Sequence, residues 1–70
     1  MKLSARNVLP GKVISVEKGP TTSLVKLEVA PSLVVTATIT TEAVNELGLA
    51  VGGRAAAVIK SSDVLVAVDL

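Results

Sequence analysis

Valine, with isoleucine and threonine behind it, recurs at every second position along several stretches of this chain. Branching at Cβ stiffens these side chains and suits them to a pleated surface. In SLVKLEV (23–29), Val25, Leu27 and Val29 share one face, and Lys26 and Glu28 take the other. In LVVTATI (33–39), Leu33, Val35, Ala37 and Ile39 oppose Val34, Thr36 and Thr38. In VLVAV (64–68), Val64, Val66 and Val68 oppose Leu65 and Ala67. GKVISVE (11–17) reads as an opening strand and RAAAVIK (54–60) as another.

Turn residues separate these stretches. Lys18-Gly19-Pro20, Ala30-Pro31-Ser32 and Ser61-Ser62-Asp63 each end one strand before the next, and Gly52-Gly53 turns the chain into the fourth. Only between Thr40 and Gly48 does the period change. TTEAVNELG offers a threonine cap, an acidic first turn, apolar Val44 and Leu47, and a glycine stop. That predicts a helix of about two turns. The expected order is β-β-β-α-β-β. It predicts a mainly β fold, a small five-stranded OB-like barrel with one short helix after the third strand. Architecture alone implies no function.

Composition then removes most chemistry. The chain has no Cys and no His. Disulfides, thiolate nucleophiles, ordinary structural zinc sites and His-based triads are all excluded. It has no Phe, Tyr or Trp, so it lacks a stacking platform for unpaired bases. The acidic residues Glu17, Glu28, Glu42, Glu46, Asp63 and Asp69 are scattered singly, which suits surface groups and caps better than a catalytic pair or a metal cluster. An enzyme is not expected. A net charge of +1, with dispersed cations, argues against nucleic-acid or membrane-surface binding.

Length and apolarity pull against each other. Seventy residues make one small domain, whose core is typically worth only about 3–5 kcal/mol of net stability. Half the residues are nevertheless apolar. With no disulfide available, another copy of the chain is the expected cover for the surplus. The longest uncharged stretch, Val29 to Thr41, is broken by Pro31 and falls short of the ~20 residues of a membrane span. The N-terminus carries charges where a signal peptide has its apolar segment, so the expected location is the cytoplasm.

One constellation suggests binding. Ser4-Ala5-Arg6-Asn7 precedes the first strand, Thr40-Thr41 opens the helix, and Lys60-Ser61-Ser62 ends the fourth strand. Each places hydrogen-bond donors at an element's end, and such donors together can cage a small anion. An ordinary helix cap, a solvated lysine and a frayed terminus account for the same residues without a ligand.

Three segments together carry a family resemblance. They are Ser4-Ala5-Arg6-Asn7, the block Ile39-Thr40-Thr41-Glu42-Ala43-Val44-Asn45-Glu46-Leu47-Gly48-Leu49, and the run Ala57-Val58-Ile59-Lys60-Ser61-Ser62-Asp63-Val64. In this order and spacing they resemble the molbindins, small molybdate-binding proteins made of the transport-associated OB (TOBE) domain. The resemblance covers essentially all of residues 1–70, read as a single domain. The same module occurs in molybdate-responsive regulators and in molybdate transporter ATPases.

The resemblance implies a cytoplasmic homo-oligomer, commonly a hexamer built as a trimer of dimers, that binds molybdate or tungstate between subunits. No organic cofactor is implied. Carried over residue by residue, the main oxyanion site draws on Ser4, Arg6, Thr40, Lys60 and Ser61. Some relatives have a serine just inside the helix. Here Ala43 stands there and offers only its backbone N–H. Further sites near the threefold axis use backbone from the turn after the first strand, where Lys18, Gly19 and Thr21 stand.

Such donors suit this ligand. Molybdate is a tetrahedral dianion with acceptor oxygens and no proton at neutral pH. Hydrogen phosphate brings an O–H that an all-donor cage leaves unpaired. Sulfate can be rejected only by cavity size. Three function classes therefore stand side by side: an oxyanion-binding storage or homeostasis protein, a regulatory or transporter-associated sensing domain, and a nucleic-acid-binding OB module. The starting Met1 and the ending at Leu70 lead us to expect a free-standing chain.

Overall fold

The alternating segments form one antiparallel four-stranded sheet, in the order β3-β2-β1-β4. It is seen in a computed structural model that describes residues 3–69. The strands are β1 (Asn7–Lys18), β2 (Thr22–Ala30), β3 (Leu33–Thr40) and β4 (Arg54–Ile59). A helix, α1 (Thr41–Leu47), follows β3, and a 3-10 turn (Ser61–Asp63) follows β4. The alternation predicts the inner face well: Val25 and Leu27 are buried while Glu28 is exposed.

β1 begins four residues before the predicted Gly11, because Pro10-Gly11 reads as a break in the sequence. The early half, Asn7 to Lys12, pairs with β4; the later half, Lys12 to Lys18, pairs with β2. Pro10 thus sits where β1 has one neighbour, and a missing N–H is tolerated there. Gly11 stands where the partner changes. A Cβ on it would lie 2.5 Å from the Glu28 carbonyl oxygen and 3.1 Å from Val29 Cγ1. Gly11→Ala is therefore expected to lower stability by about 1–3 kcal/mol, read from the unfolding transition.

A bulge between Val13 and Ser15 curls the sheet. Val13 keeps its backbone paired there: its N–H donates to Gly53 O at 2.9 Å, and its carbonyl accepts from Gly52 N–H at 2.8 Å. The core is small: Val13, Val25, Leu27, Val44 and Ala57 are buried, with Val16, Val29, Val35, Ile39, Leu49 and Ala55 packed around them.

Helix α1 has the predicted ends. Thr40 is the N-cap and Gly48 stops the helix in the left-handed region at φ 63°. The Gly48 N–H reaches Asn45 O and the Leu49 N–H reaches Val44 O, which satisfies the final carbonyls. One side chain of the helix, Val44, is driven into the core.

The fifth strand differs from expectation. Residues 64–68 form no strand within the chain, and Leu65, Val66 and Val68 are 93%, 89% and 78% exposed. Alternation marks a segment able to pair; it does not supply the neighbour. Among the described residues no helix is long and apolar enough to cross a membrane.

Candidate functional site

The predicted site residues fall into two groups at opposite ends of β1. The first group gathers where β1 starts and β4 ends. Asn7 pairs with Ile59 across the sheet, and the Asn7 Nδ2–H donates to Ile59 O at 3.2 Å. The next residues outward are Arg6 on one strand and Lys60 on the other. Ser61 follows Lys60 and opens the 3-10 turn; Ser4 lies two residues before Arg6. All four of these side chains are exposed. Among the described residues, the cations Arg6 and Lys60 and the hydroxyls of Ser4 and Ser61 therefore share one end of the sheet, with Ser62 next in the turn. The Asp63 carboxylate closes the same turn and is also exposed, so water screens it.

The second group gathers at the start of α1. Thr40 Oγ1 accepts a hydrogen bond from the Ala43 N–H at 3.1 Å. The Thr40 hydroxyl keeps its own proton, so it remains a donor toward anything outside. The Ala43 N–H, expected to be open to a ligand, is instead occupied by this cap. Glu42, in the first turn, is exposed.

Thr41 staples the helix to the β1–β2 turn. Its N–H donates to Thr21 O at 2.9 Å and its hydroxyl to Gly19 O at 2.7 Å. The proton of Thr41 being thus committed, the Ser23 hydroxyl, 2.7 Å away, donates to Thr41 Oγ1. Ser23 is 2% exposed and is the one buried polar side chain among the described residues. Lys18 Nζ donates to Asn45 Oδ1 at 3.0 Å. Gly19 is fully engaged, since its N–H donates to Thr22 O at 2.9 Å. A shallow depression beside the turn is lined by Glu17, Lys18, Gly19, Thr22, Ser23, Leu24 and Thr38.

Within one chain, then, Thr40 stands with Lys18, Gly19 and Thr21, not with Ser4, Arg6, Lys60 and Ser61. The register requires it: β4 meets the early half of β1, and Thr40 faces Thr22 beside the late half. Roughly 36 Å of strand contour separate Asn7 from Lys18. Sequence reasoning named Asn7 and Thr41 only as donors at element ends and missed Ser23; all three tie elements together. For Ser23 a signal was present: it continues the inward parity of Val25, Leu27 and Val29. Among the described residues no cluster of His, Cys, Asp or Glu could hold a metal cation.

Comparison with known proteins settles the family. The profile of the TOBE domain matches residues 3–66. The chain belongs to the TOBE-domain family. This TOBE domain is 44% identical over 69 residues to a probable molybdenum-pterin-binding protein of Haemophilus influenzae, covering 99% of this chain and 100% of that one. Its fold superposes on MopII from Clostridium pasteurianum with a TM-score of 0.89 at 42% identity, covering 96% and 100% of the two chains. It also superposes on the cytoplasmic molybdate-binding protein ModG, in a form with molybdate bound, with a TM-score of 0.89 at 45% identity. That match covers 93% of this chain and 46% of ModG. These neighbours bear out the OB-like fold expected from the strand pattern.

Proposed function

We propose that this TOBE domain binds molybdate or tungstate at contacts between its own copies and serves intracellular storage or homeostasis of the oxyanion. The observation that carries the proposal is full-length similarity to a protein named for molybdenum binding, on a chain whose exposed clusters present donors. One copy supplies Arg6, Lys60, Ser4 and Ser61; another supplies Thr40, whose oxygen caps the Ala43 N–H and whose own proton stays free to be donated. The register separates these groups within one chain, which is why the cage is assigned to a homo-oligomer, a hexamer arranged as a trimer of dimers. Lys18, with protons beyond the one given to Asn45, and Thr21 form a second anion contact on the turn that Gly19 shapes. The chain carries out no reaction, takes no organic cofactor, and acts in the cytoplasm without nucleic acid or membrane.

Calorimetry and thermal unfolding test this together. Molybdate and tungstate should bind and raise the melting temperature; a ligand at a hundred times its Kd adds about 2.7 kcal/mol. Sulfate and phosphate serve as controls. Absence of both heat and melting shift with molybdate would overturn the proposal. Native mass spectrometry then counts copies and anions in one measurement.

A further inference from the structure

Thr40 and Thr41 stand side by side and are alike as residues, yet the fold uses them differently. Thr40 is exposed and caps α1; Thr41 is half-buried and reaches the β1–β2 turn. We infer that Thr41 and the buried Ser23 are positioning residues for the anion site: they touch no ligand, and they hold the first turn of α1 against the β1–β2 turn so that the Thr40 hydroxyl keeps its place at the surface. Their role rests on the molybdate-binding reading above, which did not include them.

The helix cannot hold this geometry by itself. It is seven residues long, and isolated helices so short are marginal in water. It buries one side chain, Val44. A single apolar anchor sets how deep the helix sits but leaves its start free to swing about that point. Thr41 precedes Val44 by one helical turn and shares its face. Its N–H donates to Thr21 O at 2.9 Å and its hydroxyl to Gly19 O at 2.7 Å. These bonds pin the end of the helix that Val44 leaves loose. Lys18 Nζ adds a bond to Asn45 Oδ1, but that contact is exposed and water competes for it.

Ser23 makes the attachment hard to give up. It is 2% exposed, and its hydroxyl donates to Thr41 Oγ1 at 2.7 Å. Ser23, Thr41 and Gly19 O thus form one relay in which both hydroxyl protons are used. Such bonds reinforce one another away from water, and breaking one strands a buried polar group. Ser23 shares the buried face of Val25 and Leu27, so bulk water does not replace Thr41 as its partner. Among the described residues no buried side-chain nitrogen or oxygen lacks a hydrogen-bond partner. A helix start that swung away from the turn would end that state.

The consequence falls on Thr40. It is the last residue of β3, pairs with Thr22 and is extended at φ −69° and ψ 147°. Thr41 follows it directly, so the peptide that joins them is held by the Thr41 bonds. The Ala43 N–H meets Thr40 Oγ1 at 3.1 Å while the first turn keeps its place. If that turn frays, the cap opens and the Thr40 hydroxyl is no longer held where an anion meets it.

Calorimetry and residue-resolved amide exchange on the full chain test the inference. Thr41→Val keeps the branched shape and removes the hydroxyl. It should weaken molybdate binding about tenfold and speed exchange of the Ala43 amide about tenfold, in a chain still folded by circular dichroism. Thr41→Ser keeps the hydroxyl and should restore both to within about twofold. In a Thr40→Val background, where the donor is already gone, Thr41→Val should weaken binding no further. A residue that only stabilised the fold would lower the unfolding midpoint and leave the affinity of the folded chain unchanged; that outcome overturns the inference. So does an undiminished second loss in the Thr40→Val background, or Ala43 exchange that Thr41→Val leaves unchanged. If the natural chain binds no molybdate, the molybdate reading fails, and Ala43 exchange decides whether Thr41 holds the cap. If Thr41→Val does not fold, Ser23→Ala takes its place and should move affinity and exchange in the same direction by about threefold; no change in either overturns the inference.

Discussion

Lys60→Ala is expected to weaken molybdate binding at least about tenfold while leaving the fold intact. Lys60 is exposed, lies just beyond the last pair of β4, and packs nothing in the core. Its ammonium is one of two cations at that end of the sheet among the described residues. A hydrogen bond to a charged partner contributes about 1.5–3 kcal/mol, and about 1.4 kcal/mol is one decade in affinity. Removing it also leaves Arg6 as the one cation among the described residues at that end of the sheet. Calorimetry on the natural and substituted chains, with circular dichroism to verify the sheet, checks this. Unchanged affinity would remove Lys60 from the site and weaken the two-copy cage.

Val44→Ala should be the more damaging change to stability. Val44 is 1% exposed and is the only buried side chain the helix contributes. Full burial of such a side chain is worth about 1.5–3 kcal/mol. A core of this size is typically worth only about 3–5 kcal/mol in net stability. One truncation therefore removes a large share of what holds the folded state. Denaturant unfolding, at fixed protein concentration because the proposed assembly adds stability of its own, should show a much lower midpoint. Leu47→Ala, on the same helix but 69% exposed, should leave the midpoint nearly unchanged. Equal loss in both variants would show that the helix contributes by propensity and not through Val44.

How much could be read from residues alone varies by element. The helix was legible by its threonine cap and its glycine stop, because such residues carry conformational preferences that act locally; which of Thr40 and Thr41 is the cap was settled by the fold. β2 and β3 were legible because their alternation reports a half-buried face. The first residues of β1 were hidden by Pro10-Gly11. There the proline is harmless only because β2 is absent from that flank, and the glycine is needed only because Glu28 crosses close by. Neither circumstance exists until distant strands meet. The candidate site was legible as residue types but not as a place. Ser4, Arg6, Lys60 and Ser61 converge through the β1–β4 ladder, and nothing local in the chain ties Lys60 to Arg6.

The absence of aromatic, His and Cys side chains and the β-branched alternation determined, before any folding, that this would be a small β protein whose means of binding are hydroxyls, amides and cations. These are properties of side chains and of neighbours a few positions away, so the linear order carries them. Tertiary structure alone decided that Thr40 stands at the other end of β1 from Arg6 and Lys60, that the Ala43 N–H is occupied by its cap, and that residues 64–68 leave their own sheet. Each of these depends on strand register and on a hydrogen bond or an apolar face meeting its partner across the fold. Such pairings are chosen by the free energy of the whole assembly of strands, and no segment holds enough of that energy to announce them by itself.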